Sequence, residues 1–529
     1  MNKLWKAGPD TREDSPRDSL DRDGQEREDA TYTPNEHTRL LPNRVESTNY
    51  LSPDDPAVSP YNLWSVRIVR YLTILFTILT FVWWIILLVS TFVTPPGFHT
   101  RGSGFFSFSY ASLALANLIF TLVFFAIPSK AVRILSIIMG GLLLVDAILL
   151  ISVEKTRHEE GWVGMASVLW AFLMAVWTLL TDRLVAWGKS EEEERLTGRA
   201  ETRRTLGEWT AVLISTISMV LLTLAVLLTF CTLILRALDA GLAPPGKLYW
   251  VDGDKYAIHV YCHGNQTDSK GKTLPTVLFE GGEGTVEDGL WQFADTAVKN
   301  GSISRYCFVD RPGFAWSDTA PSPLSAGMAV EAVSEALTRA GEAGPWVLAS
   351  AGIGSIYSRI LSARYSTDVK GIVLIDPLHE DYLDDVGSPG RGFLLWIRGI
   401  ISPLGFDRIP GSLFHGRTKE DRVWGRSAYQ TGKFIFAKLQ ENLVADTLSK
   451  RDLASSTAIQ NPDVPLSIIS SGVKVREDSG WEDKQRDLSH LTQKLQHWDI
   501  VNEAPHQVWD TYEGRDIIEK RLRELVFAA

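Results

Sequence analysis

The chain has 529 residues, of which 45% are hydrophobic and 22% charged, with a formal net charge of −10 and only three cysteines. That length calls for more than one domain, and the net acidity gives no reason to expect a nucleic-acid partner. Cys231, Cys262 and Cys307 are spaced neither as a metal knuckle nor as a disulfide framework, so neither a metal nor a cofactor is expected.

Residues 1–60 are rich in Asp, Glu, Arg, Pro, Ser and Thr and nearly free of large aliphatics. Such a segment buries too little surface to offset its ordering entropy, which predicts a disordered cytosolic tail. No apolar core follows Met1, so the segment does not read as a signal peptide, and it is too acidic for a mitochondrial transit peptide. Within it, Glu36 is followed at +4 and +5 by Leu40 and Leu41. The spacing resembles an acidic dileucine sorting signal, which clathrin-type adaptors read when routing membrane proteins to vacuoles or lysosomes. The alternative is a chance Leu-Leu pair.

Residues 61–237 hold five apolar runs, at about 71–93, 105–127, 132–151, 161–180 and 209–235. Each reaches the roughly 20 residues that a bilayer-spanning helix needs, predicting an all-α transmembrane bundle with the lipid bilayer as its first partner. Trp64, Trp162, Trp187 and Trp209 lie near run ends, as interfacial anchors do, whereas Trp83 and Trp84 sit mid-span and do not fit that belt. Asp146 is the one acid well inside a run; it is either a functional intramembrane carboxylate or a polar contact of the bundle.

Lysines and arginines set the expected orientation. Arg67, Arg70, Lys130, Arg133, Arg183, Lys189, Arg195, Arg199, Arg203 and Arg204 fall on one side, against Arg101, Lys155, Arg157 and Arg236 on the other. The N-terminus is therefore expected in the cytosol and the segment after the fifth span in a lumen. The Asn-x-Ser/Thr sequons at Asn265 and Asn300 both lie in that segment and read as glycosylation sites. The run Glu191–Glu194 reads as a solvated cytosolic loop.

After a linker at Ala243-Pro244-Pro245-Gly246, strands alternate with helical stretches over 238–529, predicting an α/β domain. Strands are expected at 255–261, 276–279, 305–309, 347–349, 371–375, 465–470 and 498–502, and helices at 328–340 and 517–527. Residues 384–460 have no strand rhythm. Gly281-Gly282-Glu283-Gly284 follows the second strand and Asp310-Arg311-Pro312-Gly313-Phe314-Ala315-Trp316-Ser317 the third. Ser350-Ala351-Gly352-Ile353-Gly354 sits in a strand–turn–helix context, the shape of a nucleophile elbow. A later strand runs into Asp376-Pro377-Leu378-His379-Glu380-Asp381.

In order and spacing these motifs resemble the α/β-hydrolase superfamily, and within it proline-iminopeptidase- and esterase-like members. The likeness covers just over half the chain, with 384–460 as a helical lid. The five-span region before it resembles, more weakly, fungal integral membrane proteins of unknown activity. The resemblance implies an oxyanion hole built from the amides of Gly282, Glu283 and Ile353, and a general base at His506. Asp376, Asp478 and Asp483 are all candidates for the acid, and spacing does not choose among them. The Asp310–Ser317 box, with Ala315 where the family has its second glycine, is expected to be structural. The resemblance also makes the strands carrying Cys262 and Cys307 neighbours, so an oxidising lumen would allow a disulfide.

The departure from the family is Gly352. Glycine occupies the nucleophile position and offers His506 nothing to activate, although it suits the strained turn. Ser350 and Ser355 are nearby but off the apex. The leading expectation is a multi-pass endomembrane protein, vacuolar or lysosomal, with a catalytically degenerate lumenal domain that binds a small apolar ligand or ester or acts as a scaffold. The alternatives are an active esterase or lipase with an atypical nucleophile or a water-based mechanism, and a transporter-like bundle with an accessory domain.

Overall fold

The computed structural model describes residues 59–198, 205–267 and 271–528. The tail, and with it Glu36, Leu40 and Leu41, lies outside the described residues.

Five long apolar helices come first: α1 Trp64–Ser90, α2 Phe105–Val123, α3 Lys130–Ser152, α4 Glu154–Thr197 and α5 Leu206–Asp239. All five are long and apolar enough to cross a membrane. The mid-span tryptophans are explained by what they touch. Trp83 Nε1 donates to Ser167 Oγ at 3.0 Å and Trp84 Nε1 to Ser112 Oγ at 2.9 Å, while from α4 Trp170 and Trp177 donate to Thr80 and Thr73 of α1 at 2.8 and 3.0 Å. In apolar surroundings the hydrophobic effect does not hold helices together, and such bonds, each worth about 0.6 kcal/mol, tie α1 to its neighbours. Asp146 is fully buried on α3, facing the Tyr110 hydroxyl of α2.

Helix α4 is longer than expected at both ends. It is interrupted at Gly161, whose φ of 59° and ψ of −161° only glycine takes readily, and this break coincides with the expected start of the span. At the other end the Glu191–Glu194 run is not a loop: α4 continues through it. Glu192 is buried, accepting from Asn62 at 2.9 Å and Arg195 at 2.8 Å. Glutamate and arginine are good helix formers and pair at i,i+3, so the apolar run ends before the helix does.

The α/β domain is an eight-stranded sheet with strand order β1-β2-β4-β3-β5-β6-β7-β8. Its strands are β1 Lys247–Val251, β2 Tyr256–Gly264, β3 Thr276–Glu280, β4 Arg305–Val309, β5 Trp346–Ala351, β6 Val369–Ile375, β7 Leu466–Ser471 and β8 Leu495–Val501. The β1–β2 and β2–β4 pairings are antiparallel and the rest parallel. Strand β1 was not expected: its side chains are mostly exposed, so it lacks the buried apolar run that marks β5. Helices α7 (Ala326–Arg339) and α8 (Gly354–Arg364) cover one face of the sheet, and α6 (Leu290–Lys299) and α17 (Tyr512–Ala528) the other. Between β6 and β7 the chain forms α9 Leu383–Val386, α10 Pro389–Ile401, α11 Arg408–Phe414, α12 Lys419–Val423, α13 Gly432–Val444 and α14 Lys450–Thr457, spanning the region assigned to a lid. Helices α15 Gly472–Glu477 and α16 Ser479–Leu488 join β7 to β8.

This domain docks on one end of the bundle. Thr94 N donates to Ser322 O and Thr319 N to Arg101 O, at 3.0 and 2.9 Å. His158 Nε2 meets Asp318 Oδ2 at 2.9 Å. The segment after β4 is thus a strut between sheet and bundle. Ala315 within it has φ +34°, a conformation that suits the glycine the family carries there.

Candidate active site

The elbow forms because β5 is wholly buried and must reverse into α8 within two residues. Gly352 makes that reversal at φ +47°, its N–H donating to Ile375 O at 3.1 Å. Left-handed backbone costs an ordinary L-residue about 1–2 kcal/mol. Glycine meets that turn without strain.

His506 lies on the segment between β8 and α17, at the same end of the sheet. Its Nδ1 is 2.5 Å from Asp376 Oδ2. Of the three candidate acids the structure brings only Asp376 to the histidine. Asp376 follows β6, is fully buried, and also accepts from Ser471 N at 3.0 Å and Trp481 Nε1 at 2.9 Å on its other oxygen. These bonds fix the carboxylate and so orient the imidazole. Asp478 instead caps α16 through Gly480 N at 2.9 Å, and Asp483 pairs with Arg486 at 3.4 Å.

His506 stands close against the apex of the turn. A Cβ added at Gly352 would lie 2.9 Å from His506 Nε2, 3.3 Å from Cε1 and 3.6 Å from Gly282 Cα. A serine hydroxyl needs its oxygen, one bond beyond Cβ, at about 2.6–3.2 Å from the base. Here the Cβ alone already takes up that distance. Neither neighbouring serine stands at the apex of the turn. Ser350 is fully buried on β5, and Ser355, equally buried in the first turn of α8, donates to Leu378 O at 3.3 Å.

The turn after β3, where the resemblance puts oxyanion-hole amides, is held by Arg311. Arg311 is buried, and its Nη2 donates to Gly282 O at 2.5 Å and Gly281 O at 3.3 Å. The same guanidinium reaches Glu280 at 3.0 Å and Glu441 of α13 at 3.0 Å. Arg311 is shared between the two acids, and Glu441 has Lys438 as a second cation. Burial pushes the Glu280 carboxyl up to about 8, Arg311 offsetting only part of this and the nearby acids Asp310 and Glu441 adding to it. Lys438 of α13 completes the network, meeting Glu441 at 2.7 Å and Glu283 at 3.2 Å. Gly282 thus borders Gly352 from a turn that Arg311 and Lys438 tie to α13 through Glu283 and Glu441, while Ile353 follows Gly352 in the chain. Trp481, Lys438 and Glu441 had no motif in the sequence; only packing brings them here.

Among the described residues, His259, Glu287 and Asp310 place potential metal-ligand atoms within 4.8 Å of one another. Both nitrogens of His259 are already used, one toward Asp310 at 2.9 Å and one accepting from Gly246 N at 3.2 Å, so the cluster reads as a packed polar knot. Cys262 and Cys307 face each other across β2 and β4 and form a disulfide, with Cα atoms 4.0 Å apart. The sequon asparagines are both exposed, and Asn300 Nδ2 donates to Glu519 at 3.1 Å.

A family defined by a region of unknown function, DUF2417, matches residues 36–262. An uncharacterized protein of Schizosaccharomyces pombe is 35% identical, over 93% of this chain and 97% of its own length. The chain belongs to the DUF2417 family. Another relative, from Saccharomyces cerevisiae and named an uncharacterized vacuolar membrane protein, is 28% identical over 62% of this chain and 59% of its own. Among solved structures, an α/β hydrolase enzyme from a deep-sea metagenome library is 16% identical, covering 54% of this chain and 98% of that one at a TM-score of 0.37. An enol-lactonase from Burkholderia xenovorans is 15% identical, covering 53% of this chain and 100% of that one at a TM-score of 0.35. Identities this low carry no activity across. This member of the family is a membrane protein with an α/β-hydrolase domain, as its five apolar helices and its strand order show.

Proposed function

We propose that the protein is an integral membrane protein of the vacuole whose lumenal α/β-hydrolase domain has lost acyl-transfer chemistry and serves as a ligand-binding or scaffolding module. One observation carries this reading: His506 Nε2 lies 2.9 Å from the point where a side chain at Gly352 would begin. The base fills the space that a nucleophile would use. The vacuolar assignment leans on the name of the Saccharomyces cerevisiae relative. The lumenal orientation leans on the lysine and arginine bias and on docking of the domain against the end of α5. The tail would meet clathrin-type adaptors through Glu36, Leu40 and Leu41; replacing both leucines with alanine should divert the protein to another membrane, and unchanged localisation would remove this element.

A fluorophosphonate probe tests the central claim. The wild-type protein should remain unlabelled, and labelling that maps to Ser350 or Ser355 would make the protein a serine hydrolase. The intact His506–Asp376 pair, with the histidine side chain 31% exposed, favours one rival: hydrolysis of an ester by a water that His506 activates. That rival predicts probe-silent ester turnover that His506→Ala abolishes. The degenerate domain predicts none in either protein.

A further inference from the structure

At the seam between the bundle and the α/β domain lies a cleft of about 610 Å³, its open mouth included. Its walls are unusually charged for a place at the ends of apolar helices. From α5 come Arg236 and Asp239, from the start of α4 Lys155 and Glu159, and from the lid Arg408, Arg422 and Lys433.

The internal pairing leaves positive charge over. Arg236 is taken up by Glu159 and Glu160, each at 2.7 Å. Asp239 takes Arg422 at 2.6 Å and Arg408 at the longer 3.3 Å. No carboxylate lies within 4 Å of either lysine among the described residues. Lys433 Nζ donates to the backbone oxygen of Ala315 at 2.6 Å, and Lys155 Nζ stands 5.3 Å over the Trp316 ring. Within the cleft five cations face three paired carboxylates, and the two lysines form no ion pair; the acids that act on Lys433 from farther off include Glu159 and Asp318.

Of this set Arg408 is buried and the two lysines are half-buried. The Arg408 side chain is 6% exposed, and its Nε has no hydrogen-bond partner. Burial, helped by Arg236 and Arg422 and opposed by Asp239, pulls this guanidinium down to about 10. Lys433 is likewise lowered, chiefly by burial. Uncompensated buried charge is costly unless a counter-ion completes it. An arginine fork with two ammonium groups beside it is the donor set that phosphate oxygens accept best.

We propose that this seam binds a phosphate group, supplied either by a phospholipid headgroup or by free inorganic phosphate. Arg408 begins α11, whose Leu413 and Phe414 are 70% and 80% exposed, and in α10 of the same lid Phe393 and Leu394 are 59% and 62% exposed. The inference is independent of whether the elbow is active.

The test uses the full chain purified in detergent. Inorganic phosphate should raise its melting temperature where chloride at equal ionic strength does not. Native mass spectrometry should show a phospholipid retained through delipidation if the lipid is the source, and none if free phosphate is. Lys155→Gln and Lys433→Gln break no ion pair within the cleft, and Arg408→Ala leaves the Arg422–Asp239 pair in place. Each should weaken phosphate binding about tenfold, the loss of one charge-assisted hydrogen bond. The proposal is overturned if neither phosphate nor phospholipid binds, or if both lysine variants bind as the wild type does.

Discussion

Adding a single carbon at Gly352 is the sharpest perturbation of the elbow. Gly352→Ala introduces a Cβ 2.9 Å from His506 Nε2, closer than real Cβ contacts come. It also forces an alanine to φ +47°. The backbone strain costs about 1–2 kcal/mol. If the imidazole must swing away, the Asp376 hydrogen bond is lost as well, adding about 1.5–3 kcal/mol for a bond to a charged group. The expected total is therefore about 2.5–5 kcal/mol, read by thermal unfolding of the purified protein. The second half of that cost belongs to the contact, so it should vanish when the histidine is absent. Gly352→Ala combined with His506→Ala should be less destabilised than the two single variants added together, because residues in contact do not act independently. Strictly additive costs would show that His506 does not occupy the nucleophile space and would remove the main support for a degenerate site. Gly352→Ser brings the same Cβ and should carry the same cost; fluorophosphonate labelling of it, lost again in the His506→Ala background, would show that the imidazole makes room for a hydroxyl without leaving Asp376.

Glu280 gives a pH signature. Its folded pKa of about 8 lies above the ordinary 4.5, so the folded state holds the proton more tightly. Stability from this group is full below about 4.5 and declines as pH rises through about 8, by at most ~1.4 kcal/mol per unit; Glu280→Gln should flatten that decline in melting temperature, and an unchanged slope would refute the assignment. A glycosidase should increase the mobility of the protein on gels, with Asn265→Gln plus Asn300→Gln removing the shift; cleavage of the α/β domain by protease added to the cytosolic face of sealed vesicles would reverse the topology. Non-reduced peptide mapping should recover Cys262 linked to Cys307, and free thiols at both would contradict the cross-strand bridge.

The sequence by itself determined the elements whose signal is local. Each span was legible because some 20 successive residues must be apolar to leave water, whatever their neighbours do. The strand β5, the turn at Gly352 and the helix after it were legible because a buried parallel strand and a tight reversal each demand particular residue types in a row. The absence of a hydroxyl at position 352 needs no structure to be seen. What sequence could not choose was the partner of His506: Asp376, Asp478 and Asp483 all follow strands, and loop closure costs depend too weakly on length to favour one. Sheet order and the bonds from Ser471 and Trp481 decide for Asp376. The end of α4 was misread for a related reason, since charge marks where a helix leaves lipid, not where it stops. Whether the space over Gly352 is empty or filled was likewise open, because it depends on where the β8–α17 segment sets one imidazole against a backbone 154 positions earlier. The charged seam was invisible for the same reason: its cations come from the start of α4, the end of α5 and the lid, and only the docking of the domain on the bundle brings them to one cleft.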